Sequence, residues 1–139
     1  MSVMTARIIH TSIARPWMEV YDFASKPQDM PRWASGLSEG LRRDGEDWIT
    51  SGPLGEARVR FCPPNTLGVL DHLVTLPNGA EVHNALRVVP NGDGAEVLFT
   101  LLRQPGMSDA DFERDAAWVA RDLQQLKNIV EEREDGTEG

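Results

Sequence analysis

Three polar side chains, Asp71, Thr75 and Asn84, fall on a strand face that is otherwise apolar, and chemistry would be done there. Two turn signals place them. Asn78-Gly79, read as a two-residue hairpin loop, sets Thr75 opposite Val82, Leu73 opposite Asn84 and Asp71 opposite Leu86. Asn91 to Gly94, read as the next loop, sets Val88 opposite Val97, Leu86 opposite Phe99 and Asn84 opposite Leu101. Opposed residues share a face. That face gathers Leu73, Leu86, Val88, Val97, Phe99 and Leu101, and Val59 and Phe61 join it from the preceding strand. The other face, with Arg58, Arg60, Leu70, His72, Val74, His83, Arg87, Leu98 and Thr100, is the expected solvent face. A carboxylate among apolar side chains must find a donor or raise its pKa. Asp71 is therefore the candidate acid or base, and Asn84 and Thr75 would orient a ligand. The bland alternative is an internal hydrogen-bonded pair within the core.

Other chemistries find less support. His10, His72 and His83 show no helical i, i+4 pairing and no HExxH pattern, so no metal or cofactor is expected. On the same register His72 and His83 form an outward surface pair. No nucleophile elbow stands near them. Cys62, the single cysteine, precedes Pro63-Pro64 and reads as a strand-end filler. Trp17, Trp33, Trp48 and Trp118 read first as core packing. The outward Arg58, Arg60 and Arg87 are placed for cross-strand ion pairs. Leu70, Val74 and Leu98 on that face suggest a homodimer through the sheet's outer surface.

The elements that would position these residues follow from pattern and punctuation. Thr5 to Ala14 reads as a strand stopped at Arg15-Pro16. Trp17, Val20, Tyr21 and Ala24 share one face of a short helix, and a second short helix is expected over Gln28 to Ala34. Leu37 to Arg43 and Glu46 to Ser51 form a hairpin about Asp44-Gly45. Strands follow at Gly55 to Cys62, Gly68 to Leu76, Ala80 to Val89 and Ala95 to Arg103. Ser108 then opens a long helix as a capping residue, with Phe112, Ala116, Val119, Leu123, Leu126 and Val130 on one stripe. Tight turns make the strands antiparallel. The expected fold is α+β: a curved seven-stranded antiparallel sheet around a long C-terminal helix, with two short helices between strands one and two.

The 139 residues suit one domain, 1–133, followed by an acidic tail, 134–139. Net charge is −8, much of it at the C-terminus, and no basic stripe favours nucleic acid. No apolar run could span a bilayer, and the first residues lack a signal peptide's pattern, so a cytoplasmic location is expected.

Five segments taken in order carry a resemblance. They are Ala14-Arg15-Pro16-Trp17 leading to Val20-Tyr21-Asp22-Phe23; Pro27 to Trp33; Gly68-Val69-Leu70-Asp71-His72; Arg87 to Gly94; and Gly106-Met107-Ser108-Asp109. Together they resemble the START-like helix-grip superfamily (SRPBCC), and within it the polyketide cyclase/dehydrase-like group. Lys26-Pro27 stands where that group typically has aspartate-proline. The resemblance implies a cavity between sheet and last helix, with Tyr21 and Trp33 near its lid and Val119 and Leu123 on its helix wall. Members bind lipids, hormones, polyketides or other apolar molecules, and a minority catalyse cyclisation or dehydration. It supplies no catalytic motif to carry over. Three functions stay open: binding of a small apolar molecule, a cyclase or dehydratase using a buried carboxylate, and a protein-interaction module whose cavity has collapsed.

Overall fold

The computed structural model describes residues 2–37, 40–52 and 55–133. The order is β1 (Ala6–Ile13), α1 (Trp17–Ala24), two 3-10 turns (Met30–Arg32 and Ser35–Leu37), β2 (Arg42–Asp44), β3 (Asp47–Gly52), β4 (Gly55–Phe61), β5 (His72–Thr75), β6 (Glu81–Asn91), β7 (Gly94–Leu102) and α2 (Asp109–Glu132). The strands make one seven-stranded antiparallel sheet in the order β1-β7-β6-β5-β4-β3-β2. The α+β helix-grip architecture expected from the sequence is the one observed. No helix among the described residues is long and apolar enough to cross a membrane.

α2 starts where its capping chemistry says it should. Ser108 Oγ accepts from the Asp111 backbone N–H at 3.0 Å, and the Asp111 carboxylate accepts from the Ser108 N–H at 3.4 Å. Two otherwise orphaned helix donors are thereby satisfied. Leu123, Leu126 and Val130 of its stripe are buried with Ile13, Val88 and Val97 of the sheet and Val20 of α1. Phe112 and Ala116 pack with Leu101 in a smaller cluster near the start of the helix.

Three expectations need correction. The helix over Gln28 to Ala34 is only a 3-10 turn at Met30–Arg32, because Pro31 brings no N–H to an α-helical ladder. Of the strand expected at Leu37 to Arg43, only the last two residues are in β2; residues 38–39 lie outside the described residues, as does the acidic tail 134–139.

The third correction concerns the register of β5. β6 and β7 pair as expected, with Leu86 opposite Phe99 and Val88 opposite Val97. Between β5 and β6, however, Val74 opposes Val82, Leu73 opposes His83 and His72 opposes Asn84. The loop holds three residues, Pro77-Asn78-Gly79: Ala80 C=O accepts from Leu76 N–H at 2.8 Å, and Gly79 takes φ +89°. Proline suits the first corner of such a turn and glycine the left-handed position that closes it. One extra residue slips the strand by one position and exchanges its faces. His72 and Val74 therefore point inward, and Asp71, Leu73 and Thr75 do not. Leu70, expected outside, is buried at 5% exposure. Only Leu98 remains on the outer face of the three residues that suggested a homodimer there.

The outer face carries the expected ion pairs. Arg58 meets Asp44 at 2.6 Å and Asp47 at 3.2 Å, Arg60 meets Asp47 at 2.7 Å, and Arg42 meets Glu56 at 2.9 Å. Exposed pairs of this kind contribute little individually.

Candidate functional site

Two adjoining hollows open between the sheet and the segments that cover it, sharing Met30 and Phe61 as a common wall. The larger, about 690 Å³, lies between α1 and the β2–β3 hairpin and includes Tyr21, Arg43, Trp48 and Cys62. Two of its polar side chains already have partners: Tyr21 Oη accepts from Asn65 N–H at 2.9 Å, and Arg43 Nε donates to the Gly45 carbonyl at 3.1 Å. The smaller, about 320 Å³, lies between the sheet and α2 and has a mostly apolar wall. Ligand sites typically measure roughly 300–1,000 Å³ and combine such a wall with a few polar groups.

The smaller hollow is assembled from three directions. The sheet gives Thr50 from β3, Ala57, Val59 and Phe61 from β4, His72 and Val74 from β5, Asn84 and Leu86 from β6, and Phe99 from β7. α2 gives Trp118, Val119, Asp122 and Leu123. The covering segment gives Met30, Trp33, Ala34, Gly36 and Leu37. Strand alternation explains the sheet contribution, since paired residues Thr50 and Ala57, Phe61 and His72, and His72 and Asn84 project to the same side.

Its polar atoms are not all committed. Trp33 is 6% exposed and Thr50 8% exposed, and neither Trp33 Nε1 nor Thr50 Oγ1 has a hydrogen-bond partner among the described residues. A buried polar group left so costs about 1–3 kcal/mol. Structures tolerate that cost where a partner arrives by binding.

His72 and Asn84 form the hollow's polar floor. His72 Nδ1 lies 3.1 Å from the Leu70 carbonyl, which can only accept, so Nδ1 carries the proton. Nε2 is then an acceptor, and Asn84 Nδ2 donates to it at 3.3 Å. Burial lowers the His72 pKa from its ordinary value, against the opposing Leu70 hydrogen bond and the Asp71 charge. The imidazole is a neutral wall group.

Asp122 holds the cover to α2. Its Oδ1 accepts from Ser35 N–H at 3.2 Å and from Ser35 Oγ at 2.8 Å. Burial raises its pKa, the Ser35 hydrogen bonds opposing. No lysine or arginine lines this hollow among the described residues.

The structure brings together Val59, Phe61, Asn84, Leu86, Phe99, Trp33, Val119 and Leu123 of the expected site residues. Tyr21 lines the other hollow. Leu101 belongs to the small cluster with Phe112, while Leu73 and Thr75 line neither hollow. Asp71, the expected acid or base, is turned away from both. Its carboxylate takes Arg87 at 2.7 and 2.9 Å and the Leu86 N–H at 3.0 Å. The Arg87 hydrogen bond lowers its pKa below the ordinary carboxylate value, the opposite of what the buried-acid reading required. Three polar wall residues were missed, Thr50, His72 and Asp122, and the expected Trp33 brings an unpartnered indole N–H as well as its ring. Pro77 before Asn78-Gly79 was the signal that could have placed His72. No metal-binding group of three or more His, Cys, Asp or Glu occurs among the described residues.

No family model matches the chain, and no curated protein matches it significantly in sequence. Solved structures do match in shape. XoxI from Bacillus cereus superposes with TM-score 0.72 at 11% identity, over 93% of this chain and 97% of that one. CalU16 from Micromonospora echinospora gives TM-score 0.67 at 16% identity, over 94% of this chain and 77% of its own. DynU16, a protein in the dynemicin biosynthetic locus, gives TM-score 0.70 at 13% identity over 91% of this chain, which spans about half (47%) of DynU16. At such identities the likeness establishes the fold alone, and the chain has the helix-grip fold.

Proposed function

We propose that the protein binds a small apolar molecule in the 320 Å³ hollow between the sheet and α2. The observation that carries this reading is a mostly apolar hollow, two of whose lining residues, Trp33 and Thr50, each hold a buried polar atom without a partner, Nε1 and Oγ1. A folded interior with no ligand to receive would gain by filling that space and pairing those atoms. The hollow therefore weighs against an interaction module whose interior has closed into plain core. Native mass spectrometry of the protein from its own cells should reveal a bound small molecule, and Ala57→Phe, which adds bulk to the wall, should lose it. An unliganded mass under gentle conditions, with no fragment-library compound shifting the amide resonances of Thr50, His72 or Val119, would overturn the reading.

A second reading is a reaction on the bound molecule. Two titratable side chains, His72 from β5 and Asp122 from α2, line the same hollow, and His72 Nε2 is an acceptor. Turnover would appear as conversion of the bound molecule, abolished by His72→Gln.

A further inference from the structure

We infer that the smaller hollow selects an uncharged apolar molecule carrying a hydrogen-bonding oxygen, such as a phenol or ketone, and rejects the corresponding carboxylate. This rests on the binding reading above and adds the ligand's polarity and charge.

The polarity follows from the two unpartnered atoms. The Trp33 indole can only donate, so its partner must accept. The Thr50 hydroxyl can donate or accept. A hydroxyl or carbonyl oxygen meets either demand, whereas a pure hydrocarbon leaves both atoms buried and unpaired. Asn84 adds a third option. Its Nδ2 is used on His72, leaving Oδ1 as an acceptor with no hydrogen bond among the described residues.

The charge follows from the wall. A ligand anion would need a cation or several donors to offset its desolvation. Among the described residues the hollow offers no lysine or arginine, and its imidazole already donates Nδ1–H to Leu70. The one ionisable acid on the wall, Asp122, would repel a carboxylate. A cationic ligand would find Asp122 alone, whose Oδ1 already accepts both donors of Ser35 and whose ionised form burial disfavours.

Three probes of one shape test this: naphthalene, 2-naphthol and 2-naphthoate at neutral pH, titrated into the full chain and followed by amide chemical shifts. We expect 2-naphthol to bind ~10-fold more tightly than naphthalene, the gain from one or two paired hydrogen bonds, and 2-naphthoate to bind at least ~10-fold more weakly than 2-naphthol. Shifts should centre on Thr50, His72 and Val119. Thr50→Val and Trp33→Phe should each lower the naphthol-to-naphthalene affinity ratio, a comparison made within one variant and so independent of its stability. Equal affinity for naphthalene and 2-naphthol, an unchanged ratio in both variants, or preferred binding of 2-naphthoate overturns the inference and leaves the binding reading standing. Absence of binding by all three probes overturns both.

Discussion

Nε2 of His72 faces Nδ2 of Asn84 at 3.3 Å, from directly opposed positions on β5 and β6. The pair makes sense only as a chain. The Leu70 carbonyl holds the imidazole proton on Nδ1, which makes Nε2 an acceptor, which turns the Asn84 amide nitrogen toward it. One backbone carbonyl thus orients two side chains on the floor of the smaller hollow.

That chain breaks when His72 gains a proton, since Nε2 then donates toward an amide nitrogen. Burial places the folded pKa below the ordinary value of 6.5. The unfolded chain therefore binds more protons in the interval below about pH 6.5, and stability falls as pH falls through it. The contribution is complete above that value. Urea titrations between about pH 5 and 7 should show a steeper loss in the wild type than in His72→Gln, the difference not exceeding about 1.4 kcal/mol per pH unit for one proton. Parallel curves would contradict the neutral buried imidazole.

Asp71 should behave as a structural group. It joins Arg87 through two contacts and accepts the Leu86 N–H, while Arg87 itself is half exposed. Asp71→Ala should cost about 1–2 kcal/mol of stability, a charged hydrogen bond discounted for solvent screening. Its lowered pKa puts the acid-sensitive window below the ordinary 3.8: the stabilisation is present above that value and is lost as pH falls through the folded pKa. Binding of 2-naphthol should change by less than about 2-fold, because the Asp71 carboxylate reaches the hollow's wall only through the Leu86 backbone N–H. Loss of binding with retained stability would return Asp71 to the site.

What was legible in the sequence and what was not divide at a single turn. The capping box at Ser108 and the β6–β7 register depend on short-range signals, and both are found as read. The β5 register depends on whether the loop before β6 has two residues or three. Asn78-Gly79 alone favours two; Pro77 ahead of it forms the first corner of a longer turn. That difference placed Asp71 and Thr75 inside in place of His72 and Val74. Asp122 was obscure for another reason. It flanks the apolar stripe of α2, and only the packing of the Ser35 segment against the helix turns it into a wall residue.

Asp122 and Ser35 should control access. Their two hydrogen bonds tie the cover at Ser35–Leu37 to α2. Asp122→Ala removes both at once and should speed amide hydrogen exchange at residues 33–37 without matching acceleration in β6 and β7. Probe dissociation should accelerate in parallel. Uniform acceleration throughout the sheet would instead mean global destabilisation.

Gly68 and Gly79 separate two reasons for a glycine. Both take positive φ, +76° and +89°. A Cβ on Gly79 would meet nothing within 4 Å, so Gly79→Ala should cost only the left-handed backbone penalty, about 1–2 kcal/mol. A Cβ on Gly68 would fall 2.0 Å from the Val88 carbonyl oxygen, in backbone that cannot swing aside. Gly68 also accepts from Val88 N–H at 2.9 Å, the link that fastens the strand approach to β6 just before Leu70, Asp71 and His72. Gly68→Ala must therefore break that link or displace β6, and should cost at least about 3 kcal/mol, in the range of severe backbone effects. Denaturant midpoints of the two variants should differ clearly in that order. The shift in Gly68→Ala should also move the His72 ring resonances, because the Leu70 carbonyl that fixes its tautomer lies two residues beyond the clash.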